Sequence, residues 1–171
     1  MNTQMPARDL PQDKLGSVGQ LDDGRYYVTF KRKLQHRIDA VWRAISDPEQ
    51  LAIWFPQIRL DARLDGRFDI WFDGNCDGPP HVSGTVSRFE PPRVLELGSM
   101  RFELEATASG CTLTFTDILH FEGPRSDTEI ANAVLGGWHR FLDVLEDALD
   151  GTTEVERAEP DYSKIDVPGR P

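Results

Sequence analysis

The sequence predicts one α+β domain, in which a curved antiparallel sheet of six to seven strands wraps around a long C-terminal helix, with two short helices after the first strand. Three observations carry this. Short runs of alternating apolar and polar residues, divided by Gly, Pro and Asp, recur between Tyr26 and Phe121. Helix start and stop signals interrupt them between Asp39 and Pro56. From Ser126 to Gly151 an unbroken helical period takes over.

Residues 1–14 are polar and aperiodic and read as a flexible tail; the domain is expected to span 15–151. Asp23-Gly24 marks a hairpin. After it, Tyr26, Val28, Phe30 and Leu34 alternate with Thr29, Lys31 and Lys33 as a half-buried strand. Asp39 is expected to open a helix that carries Val41, Trp42 and Ile45 on one face. Asp47, Pro48 and Gln50 form a second helix start, with Asp47 as cap and Gln50 completing a capping box, and Pro56 stops that helix.

Strands follow in close succession. Ile58, Leu60, Ala62 and Leu64 alternate with charged residues, then Phe68, Ile70 and Phe72 do the same after the Asp65-Gly66 turn. Further strands fall at 82–89, 94–97, 101–106 and 112–121, and their short connections imply an antiparallel meander. In the closing helix, Ser126 and Glu129 form a capping box. Ile130, Val134, Trp138, Phe141, Leu142, Leu145 and Leu149 share one face, with Arg140, Asp143 and Asp147 opposite and His139 at the border. Gly151 is the expected C-cap. Residues 152–171 read as a second tail in which only Tyr162 and Ile165 could dock.

With 29 acidic and 19 basic residues, the formal charge of −10 argues against nucleic acid and anionic membrane surfaces as partners. Lys31, Arg32 and Lys33 read as a solvated edge strand guarded by charge. No apolar run approaches the length of a membrane span, and the first residues lack the apolar stretch of a secretory signal, so a cytoplasmic location is expected. Cys76 and Cys111 are expected to be thiols.

Several segments together resemble the activator-of-heat-shock-protein-90-ATPase-like family: VWRAISDPEQLAIWF (41–55), GRFDIWFDG (66–74), GTVSRFEPPRVLEL (84–97), TLTFTD (112–117) and GGWHRFLDVLEDAL (136–149). The resemblance runs from about residue 25 to 150. It implies the helix-grip fold of the START-like superfamily, whose members include lipid carriers, hormone receptors and polyketide cyclases. Where the family often places a histidine after the TLT-like run, this sequence has Asp117.

Strand parity nominates a ligand-binding set on the concave face: Phe68, Ile70, Phe72, Val82, Val86, Leu113, Phe115 and Asp117, faced by Trp54, Phe55, Trp138 and Phe141. These side chains either line a cavity or pack as a solid core. Asp117 is either a polar anchor inside or half of an ion pair at the rim. Gly136-Gly137 costs helix stability, which implies close approach of either the sheet or a ligand. Trp71 has outward parity.

The run Asp73-Gly-Asn-Cys-Asp-Gly copies half a calcium loop but lacks its twelfth-position Glu, so it reads as a turn. The four histidines have no metal-ligand spacing, and hydrolase, nucleotide and dinucleotide motifs are missing; no metal or cofactor is expected. The expected function is binding of a small apolar or lipid-like ligand. The alternatives are a protein-interaction or chaperone-regulator module, with a protein partner or a homodimer, and a cyclase- or aromatase-like enzyme that uses cavity acids.

Overall fold

A computed structural model describes residues 12–152, 159–165 and 167. After one 3-10 turn (Gln12–Lys14), β1 (Ser17–Gln20) and β2 (Tyr26–Leu34) form a hairpin. The helices α1 (Ile38–Ser46) and α2 (Pro48–Trp54) follow. Then come β3 (Ile58–Leu60), β4 (Arg67–Ile70), β5 (Val82–Glu90), β6 (Val94–Leu97), β7 (Met100–Thr107) and β8 (Gly110–Ile118), and α3 (Asp127–Asp150) closes the domain. The sheet has eight strands in the order β1-β2-β8-β7-β6-β5-β4-β3, one more than the upper expectation. Every pairing is antiparallel, and the α+β helix-grip architecture expected from the sequence is the one observed.

The β2–β8 pairing brings the two ends of the meander together. Val28 lies opposite Asp117, Phe30 opposite Phe115 and Arg32 opposite Leu113. Residues directly opposite share a face of the sheet, so these six side chains all turn toward α3. Phe102 and Met100 on β7 extend the same rows through Phe115 and Asp117. Against this concave face α3 buries Ala131, Leu135, Trp138, Leu142 and Leu145. Its ends are set as the sequence implies: Ser126 and Glu129 form the reciprocal capping box, and Gly151 takes the left-handed conformation (φ 69°).

Local expectations fail in instructive places. The first helix starts at Ile38 behind an extended Arg37, so Asp39 lies inside the first turn, where its charge suits the helix dipole. Asp47 does cap α2, but its carboxylate accepts the Glu49 N–H at 2.9 Å, one residue earlier than a box with Gln50 requires. Leu64 is exposed because β3 ends at Leu60 and the chain turns. A Cβ on Gly66 would stand 2.0 Å from the Asp61 carbonyl oxygen, so the turn needs glycine there.

The basic run on β2 is not an edge. Lys31 and Lys33 face solvent, but Arg32 points inward and is 1% exposed. Its Nη1 donates to Asp143 Oδ1 at 2.7 Å and Glu146 Oε1 at 2.9 Å, and Lys14 also pairs with Glu146. Consequently Asp143 and Asp147, expected on the outer face of the helix, are buried, and so is His139. Part of the expected C-terminal tail covers this cluster. Tyr162 is buried, its hydroxyl 2.8 Å from His139 Nδ1, and it accepts the Gly16 N–H at 2.9 Å. Val167 is also buried. Residues 1–11 of the expected N-terminal tail lie outside the described residues.

Candidate aromatic and carboxylate site

The residues nominated from strand parity meet around Trp138. Its indole lies 4.4 Å from the Phe115 ring, 5.6 Å from Phe141, 6.0 Å from Phe55 and 6.4 Å from Phe72, measured between centroids. Phe55 and Phe141 are themselves in edge contact at 4.5 Å. Phe68, Ile70 and Val86 are fully buried on the neighbouring strands, Val82 is half-buried, and Leu113 is buried one step along β8. Trp54 stands slightly apart: it stacks on Phe55 and donates its indole N–H to the Ala44 carbonyl, which fastens α2 to α1.

Asp117 points inward, as its parity with Leu113 and Phe115 requires. Its Oδ1 accepts the Ser99 hydroxyl at 2.7 Å and its Oδ2 accepts the Trp138 indole N–H at 2.9 Å. Neither partner carries charge. Burial therefore pushes the Asp117 carboxyl up, and the two hydrogen bonds and the charge of nearby His120 offset this only in part. The side chain is half-buried. Ser99 was not nominated from the sequence; it sits in the β6–β7 turn, and only the Met100–Asp117 register brings it to the carboxylate.

Phe72 and Trp71 keep their expected faces but not their expected exposure. Strand β4 stops at Ile70, and a turn follows it. Phe72 is 46% exposed and lies across the outer side of Trp138 near His81, while Trp71 is buried on the other face. There its N–H donates to the Gly78 carbonyl and the Arg59 guanidinium covers its ring at 4.9 Å. The half calcium loop is this turn: Asp73 accepts the Asn75 N–H and Gly74 takes φ 76°.

The rings thus occupy the space between sheet and helix in van der Waals succession. Clefts lie elsewhere on the surface. One of about 280 Å³ is bordered by His36, Arg43, Ile53, Trp54 and Leu149. Another of about 560 Å³ lies between α3 and the Tyr162 segment, floored by Gly136. A Cβ on Gly136 would approach nothing closer than the Arg140 guanidinium at 3.9 Å, and one on Gly137 would meet nothing within 4 Å. Close packing on the sheet, one of the two reasons expected for this pair, is not its reason.

A family model, activator of Hsp90 ATPase homolog 1-like protein, matches residues 35–150. The chain belongs to this family. That match contains both short helices, all strands from β3 onward and the whole of α3, so every aromatic residue around Trp138 lies within the matched length. Solved structures share the fold of this Hsp90-activator-like chain. CalU16 from Micromonospora echinospora is 24% identical, with 78% of this chain and 84% of that one covered and a TM-score of 0.60. Protein NE0264 from Nitrosomonas europaea is 25% identical over 73% of this chain and 94% of that one, with a TM-score of 0.57. A conserved protein of unknown function from Enterococcus faecalis, EF2215, is 17% identical over 88% and 85%, with a TM-score of 0.61. No curated protein matches the sequence. No helix among the described residues is long and apolar enough to cross a membrane.

Proposed function

We propose that this family member binds a small, mostly apolar molecule at the Trp138 end of the space between sheet and helix. The carrying observation is Asp117: a carboxylate on the concave face, anchored by Ser99 and Trp138, with rings around it. An apolar site with one placed polar group is the common plan of small-molecule sites. Phe72, half exposed on a turn, is the ring that yields to admit the ligand, and Trp138, Phe55, Phe141 and Phe115 then contact it. The interaction reading relied on Trp71, and its own loop and Arg59 cover that side chain.

The experiment is native mass spectrometry of freshly purified protein, followed by NMR of the Trp138 indole N–H on adding neutral apolar probes. A retained molecule, or a saturable shift of that one signal, supports the reading. Uniform small shifts across all indole signals, with no saturation, count against it.

A further inference from the structure

The chemistry around Asp117 narrows the ligand class, an inference that rests on the binding site proposed above. Two other inward carboxylates have cations: Arg32 serves Asp143 and Glu146, and Lys14 also serves Glu146. The hydrogen-bond partners of Asp117 are a hydroxyl and an indole N–H, which carry no charge, and nearby His120 offsets its burial only in part. Around Trp138, which donates to it, stand the rings of Phe55, Phe72 and Phe141, their centroids 5.6–6.4 Å from the indole. Aromatic faces carry negative charge and attract cations, most strongly where water is excluded. The protein's formal charge of −10 attracts cations and repels anions at long range.

We infer that the site takes a ligand with a cationic alkylammonium group, held between Trp138 and the surrounding phenylalanines with Asp117 as its counter-charge. A neutral hydrocarbon would bring the carboxylate no compensation beyond that of nearby His120. An anionic ligand would add like charge to it. A methylated or primary ammonium meets both demands at once, since its carbons pack on the rings and its charge faces Asp117. Phe72, 46% exposed, swings out to make room and then closes on the cation from the solvent side.

The test uses two soluble molecules of nearly equal shape, choline and its uncharged isostere 3,3-dimethylbutan-1-ol, added to the full-length protein while the Trp138 indole N–H is followed by NMR. Choline is expected to shift that signal with a dissociation constant at least about tenfold lower than the alcohol. In Asp117→Asn the preference should vanish while the alcohol still binds; Asp117→Leu serves if the amide variant folds poorly. If both molecules bind equally to the wild type, the cation inference is overturned and the apolar site stands. If choline keeps its advantage in both variants, the overall negative charge is responsible and Asp117 is not the counter-charge, which also overturns it. If neither molecule moves the Trp138 signal, the binding site itself is refuted.

Discussion

Replacing Arg32 with methionine removes a buried cation without leaving a large void. The guanidinium is 1% exposed and holds two carboxylates, Asp143 at 2.7 Å and Glu146 at 2.9 Å. Taking away one partner of such a buried set costs roughly 3–5 kcal/mol, because the charges left behind lose their compensation. That is a large part of the roughly 5–15 kcal/mol by which domains are stable. The acid side of the stability curve gives an independent reading. Burial alone would raise the Asp143 carboxyl, but the adjacent His139, 3.4 Å away, and the hydrogen bond and charge of Arg32 outweigh it, and the group titrates at about 2 instead of 3.8. At about 1.4 kcal/mol per unit this is worth roughly 2–3 kcal/mol. Because the folded value is the lower one, the contribution is complete above about pH 4 and is lost as the pH falls toward 2. Arg32→Met should lose stability at neutral pH and lose much of that acid-side slope. Urea unfolding between pH 7 and about 2.5 measures both. Adding Asp143→Leu should recover part of the loss, since Glu146 keeps Lys14. An Arg32→Met protein within about 1 kcal/mol of wild type, with an unchanged acid slope, would refute the buried cluster.

Three further outcomes follow from the same geometry. Trp138→Ala should cost roughly 3–5 kcal/mol in denaturant melts, more than an exposed tryptophan could, with Leu145→Ala at roughly 2–5 kcal/mol as the comparison; negligible losses from both would contradict the grip of α3 on the sheet. Asp117 is raised in the folded state, so its ionisation destabilises: stability should fall as the pH rises through the ordinary carboxylate range, and Asp117→Asn should flatten that decline, which a pH series of thermal melts detects. Tyr162→Phe should cost about 1 kcal/mol and speed hydrogen exchange of the Gly16 amide, and unchanged exchange there would show that the hydroxyl is not its acceptor.

What the sequence discloses here is decided locally. The Ser126–Glu129 box, the left-handed Gly151, the Asp47 cap and the Asp23-Gly24 hairpin depend on residues a few positions apart, and each was readable. The inward set from Phe68 to Phe115 was readable because alternation holds while a strand lasts. It failed at Leu64, where β3 ends before the pattern does, and Phe72, beyond the end of β4, keeps its contact with Trp138 but not its burial. Arg32 could not be placed from its neighbours, since the carboxylates that make its burial tolerable lie 111 and 114 positions away. Ser99 was hidden for the same reason: its role depends on register between strands and not on any motif. Whether the aromatic residues line a space or fill it depends on how closely the helix seats, and no periodicity carries that information.

The hydrogen bond between Tyr162 and Gly16 spans 146 positions and has a consequence for the opposite margin of the sheet. Gly16 immediately precedes β1, an outermost ribbon of only four residues. A short outer ribbon that is pinned at its root frays little, whereas a released one presents unpaired amides and carbonyls to other molecules. Shortening the chain from its carboxyl side ahead of Tyr162 would therefore unfasten a strand at the amino side. Such shortened molecules should self-associate through β1, and light scattering on concentrated samples would reveal it even where their melting curves remain cooperative.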